Sequence, residues 1–211
     1  MKTIFKIVGL FVVILSFQHC NEQDEVFYPV SQELKDWGAF KLGTYWVYKE
    51  ENLNIYDTIK IYKLTSEKLQ IDKYRLNHFW ERVNSYFYST RQIDSGYFKV
   101  ASFSGAIAMI HENSDLDEYV RKCYLIKLPP VKGDWIRNGS PDQINRFDTI
   151  YSTYKLGNFE FTNVVRANDN FNYFYLGTPT LIYSVKNIGI IRKEFPEYGQ
   201  VWNLVDYHIV Q

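Results

Sequence analysis

The 211-residue sequence predicts an all-β fold, an antiparallel sheet system closed as a half-barrel, a barrel or a sandwich, with at most one or two short helices. Three observations predict it. Aromatic residues make up 18% of the chain, as 18 Tyr, 15 Phe and 5 Trp, and such rings pack well on a pleated surface. Runs rich in aromatic and β-branched residues are separated by turn signals at short intervals. A single stretch, residues 31–37 (SQELKDW), reads as helix: Ser31 suits an N-cap, and Gln32 and Glu33 suit a first turn.

The strands follow in order. TYWVY (44–48) leads through the polar loop 50–54 to IYDTIKIYKL (55–64). Between 69 and 87 the apolar positions admit a helical spacing (Leu76, Phe79, Val83, Phe87), but aromatic and β-branched content tips the part after His78 to strand. GYFKVASF (96–103), GAIAMI (105–110) and EYVRKCYLIKL (118–128) come next; Pro129 and Pro130 end the last, since proline cannot donate to a ladder. Residues 138–141 mark a loop. TIYSTYKL (149–156) and FEFTNVV (159–165) flank Gly157-Asn158, a two-residue signal for a II′ hairpin turn. Residues 168–170 read as another loop. The run 181–195 then turns through Pro196-Glu197-Tyr198-Gly199 into VWNLVDYHIV (201–210).

Glycine precedes tryptophan at three strand openings: Gly43 and Trp46, Gly133 and Trp135, Gly199 and Trp202. The turn takes glycine, and the ring closes a core end with its indole N–H on a turn carbonyl. Trp46, Trp135 and Trp202 are therefore expected in the structural core.

The N-terminus carries an address. Lys2 and Lys6 precede 11 apolar residues (7–17), the length of a signal-peptide core and short of the roughly 20 residues a membrane span needs. No A-x-A-like cleavage site follows; Cys20 does. The stretch resembles the bacterial lipoprotein signal with Cys20 as its acylated residue, although Gln18 and His19 depart from that pattern. Glu22, Asp24 and Glu25 resemble the surface-export signal of Bacteroidetes lipoproteins. The expected organisation is a signal peptide (1–19), an acidic tether (20–30) and a single β-rich domain (31–211). Removing residues 1–19 leaves 22 basic and 24 acidic residues, and Cys123 as the one unlipidated thiol, read as a structural cysteine.

Charge and motif content exclude several functions. With 24 basic and 24 acidic residues there is no electrostatic footprint for nucleic acid. Two cysteines exclude a disulfide scaffold. His78, His111 and His208 are scattered, and His111-Glu112 does not continue as H-E-x-x-H, so no metal or other cofactor is expected. Asn113, Asp115 and Asp117 begin like a calcium loop that fails at Glu118 and Tyr124; residues 168–170 are explained by a turn. Ser104 lacks the glycine a nucleophile elbow needs. Asp206 and His208, two apart on one strand, share a face without a nucleophile to serve. The chain is read as non-enzymatic.

FKLGTYWVYKE near the start, PPVKGDW in the middle and VKNIGIIRKEF with VWNLVDYHI at the end resemble a group of uncharacterised Bacteroidetes surface lipoproteins, over roughly residues 34–210. The resemblance implies a β-rich fold and an outer-membrane address, periplasmic or surface-exposed, and no activity. Asp57-Thr58-Ile59 and Asp148-Thr149-Ile150 resemble the O-glycosylation pattern of exported Bacteroidetes proteins, with Thr58 and Thr149 as acceptors. The expected function is a non-catalytic, membrane-anchored lipoprotein that binds a glycan or protein partner through its aromatic surplus. The alternatives are a carrier of an apolar ligand in a β-cavity and a small hydrolase.

Overall fold

The computed structural model describes residues 24–71, 74–91, 95–104, 106–111, 122–133, 135–137, 144–169 and 180–210. The expected signal peptide (1–19) and Cys20 lie outside these residues. Ser31 opens helix α1 (Gln32–Gly38) with an N-cap bond, its hydroxyl oxygen accepting from the Leu34 N–H at 3.3 Å. The helix packs its last turn against the inside of the sheet. A Cβ on Gly38 would stand 2.7 Å from Ile107 Cγ2 and 2.9 Å from Val100 Cγ2, so glycine is required by close approach.

The strands are β1 (Val26–Tyr28), β2 (Tyr45–Glu50), β3 (Tyr56–Leu69), β4 (His78–Ser89), β5 (Ser95–Ala101), β6 (Ala106–His111), β7 (Lys122–Lys127), β8 (Trp135–Arg137), β9 (Ile144–Leu156), β10 (Phe159–Asp169), β11 (Thr180–Val185), β12 (Gly189–Phe195) and β13 (Gln200–His208). β2 to β7 form one antiparallel meander and β8 to β13 a second. The pairing of β13 with β2 joins them in the order β7-β6-β5-β4-β3-β2-β13-β12-β11-β10-β9-β8. β7 comes round against β10 and β11, so the sheet is a nearly closed barrel. Of the three expected closures, the sheet comes nearest to the barrel.

Strand alternation divides the wall into two faces. On β2, Trp46, Tyr48 and Glu50 point in, while Tyr45, Val47 and Lys49 point out. The interior is filled by Phe40, Trp46, Tyr48, Phe87, Phe98, Phe147, Ile191 and Leu204, among others. Trp46 is 1% exposed, and its indole N–H donates to the Ile188 carbonyl at 2.6 Å. Trp202 is half-buried against the same core. Trp135 opens β8, but its side chain lies outside the described residues. Gly43, Gly133 and Gly199 all have positive φ (94°, 90° and 59°), as left-handed turn positions require.

The structure differs from the sequence reading at several elements. Residues 181–195 are not one run but two strands, β11 and β12, joined at Lys186, Asn187 and Ile188. Asn187 (φ 66°) and Gly189 (φ 92°) both take left-handed geometry, which lets so short a turn reverse the chain. Asn168 and Asp169, read as loop, end β10 and pair with Leu181 and Thr180. β3 and β9 extend past the expected runs, to Leu69 and back to Ile144. The described part of the acidic tether is docked chain: β1 pairs in parallel with β4, and Val30 is 3% exposed.

Glu81 on β4 holds this N-terminal segment. Its carboxylate accepts from Val30 N–H at 2.8 Å and Ser66 Oγ at 3.0 Å, and pairs with Lys35 Nζ of α1 at 3.1 Å. Burial alone would raise its pKa, but these donors outweigh burial and hold it below the ordinary carboxylate value. A depressed pKa stabilises the fold above the unfolded value of about 4.3, and the gain is lost as pH falls through the folded one. Acid titration should therefore release residues 26–38 before the barrel melts, as read by amide hydrogen exchange. Glu81→Gln should show that release already at pH 7, and an unchanged exchange pattern in the variant would refute this role.

Candidate functional site

Alternation and one bulge bring a band of aromatic rings to the outer face of adjacent strands. On β4, Val83, Ser85 and Phe87 are buried, which sends Tyr86 and Tyr88 outward. Cross-strand pairing sets Tyr97 of β5 opposite Tyr86, and Lys60 of β3 opposite Tyr88. The β3–β4 register shifts between Ile61 and Lys63, so Tyr62 is the extra residue of a bulge. Without that shift Lys63 would point inward with Ile61; with it, Lys63 stands opposite Tyr86 on the outside.

The rings form a continuous row. Tyr62 lies 6.1 Å from Tyr88 and 6.3 Å from Tyr86, and Tyr86 lies 5.2 Å from Tyr97. Lys63 Nζ sits 5.0 Å over the Tyr86 ring. Tyr62 is 45% exposed and Tyr88 41%. On the far side of Lys60 stands Tyr45 of β2, stacked on His208 of β13 at 6.0 Å. The row crosses β13, β2, β3, β4 and β5, a span of about 19 Å at the usual strand spacing.

The Asp206–His208 pair belongs to the edge of this band. Both residues are exposed, and Tyr45 engages both: its hydroxyl donates to Asp206 Oδ2 at 3.4 Å and its ring stacks on His208. Ser104 is a turn hydroxyl that donates to backbone carbonyls of Ala101 and Ala106. His78 Nδ1 shares a 2.9 Å hydrogen bond with Tyr28 Oη. Among the described residues no group of His, Cys, Asp and Glu is arranged to hold a metal. Asn113, Asp115 and Asp117 lie outside the described residues, as do the side chains of His111 and Cys123.

Thr58 and Thr149 sit within strands and are half-buried, opposite Val47 and Arg166. The aspartate of each Asp-Thr-Ile motif is bonded inside the sheet. Asp57 accepts from Ser89 Oγ at 2.6 Å, and Asp148 forms a two-pronged pair with Arg166 at 2.7 and 2.8 Å.

A second polar group, absent from the sequence reading, lies inside the barrel. Lys193 of β12 points inward, its Nζ 4.5 Å over the Tyr48 ring, with Asp57 nearby. It escaped the sequence reading because Arg192, Lys193 and Glu194 look like a solvated charge run. Burial pushes the Lys193 amine below its ordinary value, while the charge of Asp57 pulls the other way. Burial, with a smaller contribution from Asp57, raises the Tyr48 phenol, whose hydroxyl donates to the Ile190 carbonyl at 2.8 Å.

On the outside, Arg192 bonds Glu194 and Asn203, each at 2.7 Å, at the floor of a cleft of about 440 Å³ that the tip of the β9–β10 hairpin shares with β2 and β13. Another cleft, of about 320 Å³, lies between α1 and strands β3 and β4 and has Lys35, Ser66 and Glu81 in its lining. These polar groups are already bonded to one another, which marks the cleft as a structural joint.

No family model matches the chain, and neither a curated protein nor a solved structure does.

Lys193 offers a direct test of the buried amine. A group whose folded pKa is depressed below its unfolded value of about 10.4 costs stability at neutral pH, and the cost fades as pH rises through the folded value. Lys193→Met should hold or raise the melting temperature at pH 7 and flatten the alkaline gain of the wild type. A variant several degrees less stable would show that the amine is a net stabilising partner of Tyr48 and Asp57.

Proposed function

We propose that this chain is a non-catalytic lipoprotein of the cell envelope that binds a glycan on the outer face of its barrel. The observation that carries the reading is the row of tyrosines across β3, β4 and β5, in mutual contact, with Tyr62 and Tyr88 exposed and Tyr86 and Tyr97 half-buried. Sugar rings present flat apolar faces that stack on aromatic side chains, and a strip of rings at strand spacing offers successive stacking positions. Among the described residues the interior is packed with aromatic and aliphatic side chains, which favours this surface over an internal cavity for an apolar ligand. Lys60 and Lys63 on the same face suit an aqueous ligand rather than lipid.

Anchoring through Cys20 would hold this face at the membrane surface. Mass spectrometry of detergent-extracted protein from the native host should find a diacylated or triacylated N-terminus at Cys20. A soluble mature chain starting elsewhere rejects the anchor.

Tyr62→Ala with Tyr88→Ala tests the binding face. Exposed cross-strand aromatic pairs contribute about 0.2–1 kcal/mol each, so the double variant should melt within a few degrees of the wild type. In affinity electrophoresis it should lose the retardation that the wild type shows in glycan-containing gels. Full retention by the variant would remove the band from the function.

A further inference from the structure

Resting on that reading, we infer that the glycan bound on this face is acidic, a polysaccharide carrying carboxylate or sulfate groups. Lys60 occupies the middle of the row: its cross-strand partners are Tyr45 on one side and Tyr88 on the other. Lys63 is opposite Tyr86 and lies over its ring. Both lysines are exposed, and neither forms an ion pair among the described residues.

Among the described residues, the acidic residues of this face do not cancel the lysines. Glu67 is bridged by Arg82 at 2.5 Å, and Asp206 lies beyond Tyr45 at the band's edge, where it accepts from the Tyr45 hydroxyl. The positive band is a local segregation of charge, since the whole chain carries 24 basic and 24 acidic residues. A neutral sugar would stack on the rings and leave the lysines solvated, with nothing gained from their place in the row. An acidic sugar stacked on Tyr62 or Tyr88 brings its anionic group near Lys60, opposite Tyr88, and near Lys63, whose ammonium lies over the adjoining Tyr86 ring. Lys60 and Lys63 stand opposite Tyr88 and Tyr86, two residues apart on β4 and so about 7 Å along the strand, so both charges can be met by successive units of one extended chain.

The test compares polymers that differ only in charge. Polygalacturonate and its methyl ester share a backbone, and chondroitin sulfate and its desulfated, carboxyl-reduced form do likewise. The full-length protein should bind the charged member of at least one pair more tightly than its neutral counterpart, with the preference fading as salt rises. Lys60→Gln with Lys63→Gln should weaken binding of the charged polymer about three- to tenfold, leave the neutral one unchanged, and leave the melting temperature unchanged. Tyr62→Ala with Tyr88→Ala should abolish binding of both.

Equal, tyrosine-dependent binding of charged and neutral members overturns the acidic inference and leaves the glycan reading standing. So does a charged preference that survives the lysine substitutions at full strength. Binding of no polymer in either pair, nor of a neutral galactan or glucan, overturns both.

Discussion

The barrel is organised around one edge-to-face contact, that of Phe40 with Trp46 at 4.8 Å and 85°. Phe40 follows the helix and Trp46 opens the first long strand. The indole N–H reaches Ile188 in the β11–β12 turn, and Gly189 leaves room for both rings: a Cβ there would lie 3.0 Å from Phe40 Cζ. Phe98 of β5 completes the cluster, 5.5 Å from Phe40 and 5.7 Å from Trp46. Chain stretches from both meanders are thus packed on the same two rings. Truncating a buried tryptophan typically costs about 3–5 kcal/mol, a large share of a domain's stability. The pairing of β2 with β13 then follows naturally, since both strands already flank this cluster.

Once the interior is committed to aromatic packing, the polar groups inside must find partners within the wall. Glu50, 1% exposed, does so by accepting the backbone N–H groups of Asn52 and Leu53 in the turn after β2. Asp57 does so through Ser89 and the backbone of Arg91. Lys193 has the Tyr48 ring face and the charge of Asp57 as neighbours, and these do not offset its burial, which depresses the amine's pKa. The same alternation that forces these groups inward delivers Tyr45, Lys60, Tyr86, Tyr88 and Tyr97 to the outside. Core and ring-lined outer face are two consequences of one strand period.

Local features of the fold were legible from the sequence where a side chain answers to its own backbone. Ser31 caps α1 as its position suggests, and Gly157 takes φ 57° in a two-residue turn between Leu156 and Phe159. Both depend on bonds within a few residues. The β11–β12 turn was missed because Lys186-Asn187-Ile188 offers a weaker turn signal than Pro196 to Gly199, and its geometry is held by distant groups, including Asp36, whose carbonyl accepts from Asn187 N–H at 2.7 Å. The surplus of aromatic rings was plain in the composition, but not their division between core and surface. Trp46 and Tyr62 look alike as large rings in strands; one is 1% exposed and the other 45%.

The sequence by itself determined the all-β class, the short N-terminal helix, most strand locations and the turns at glycine and proline, because these follow from backbone preference and local spacing. Tertiary structure decided the closure into a barrel, the docking of residues 26–30 and the candidate site. The reason is register. A single extra residue at Tyr62 reverses which face Lys63 presents, and such a bulge is defined by the strand alongside, not by the residues in it. The charged, ring-lined face exists only once β2, β3, β4, β5 and β13 are laid side by side.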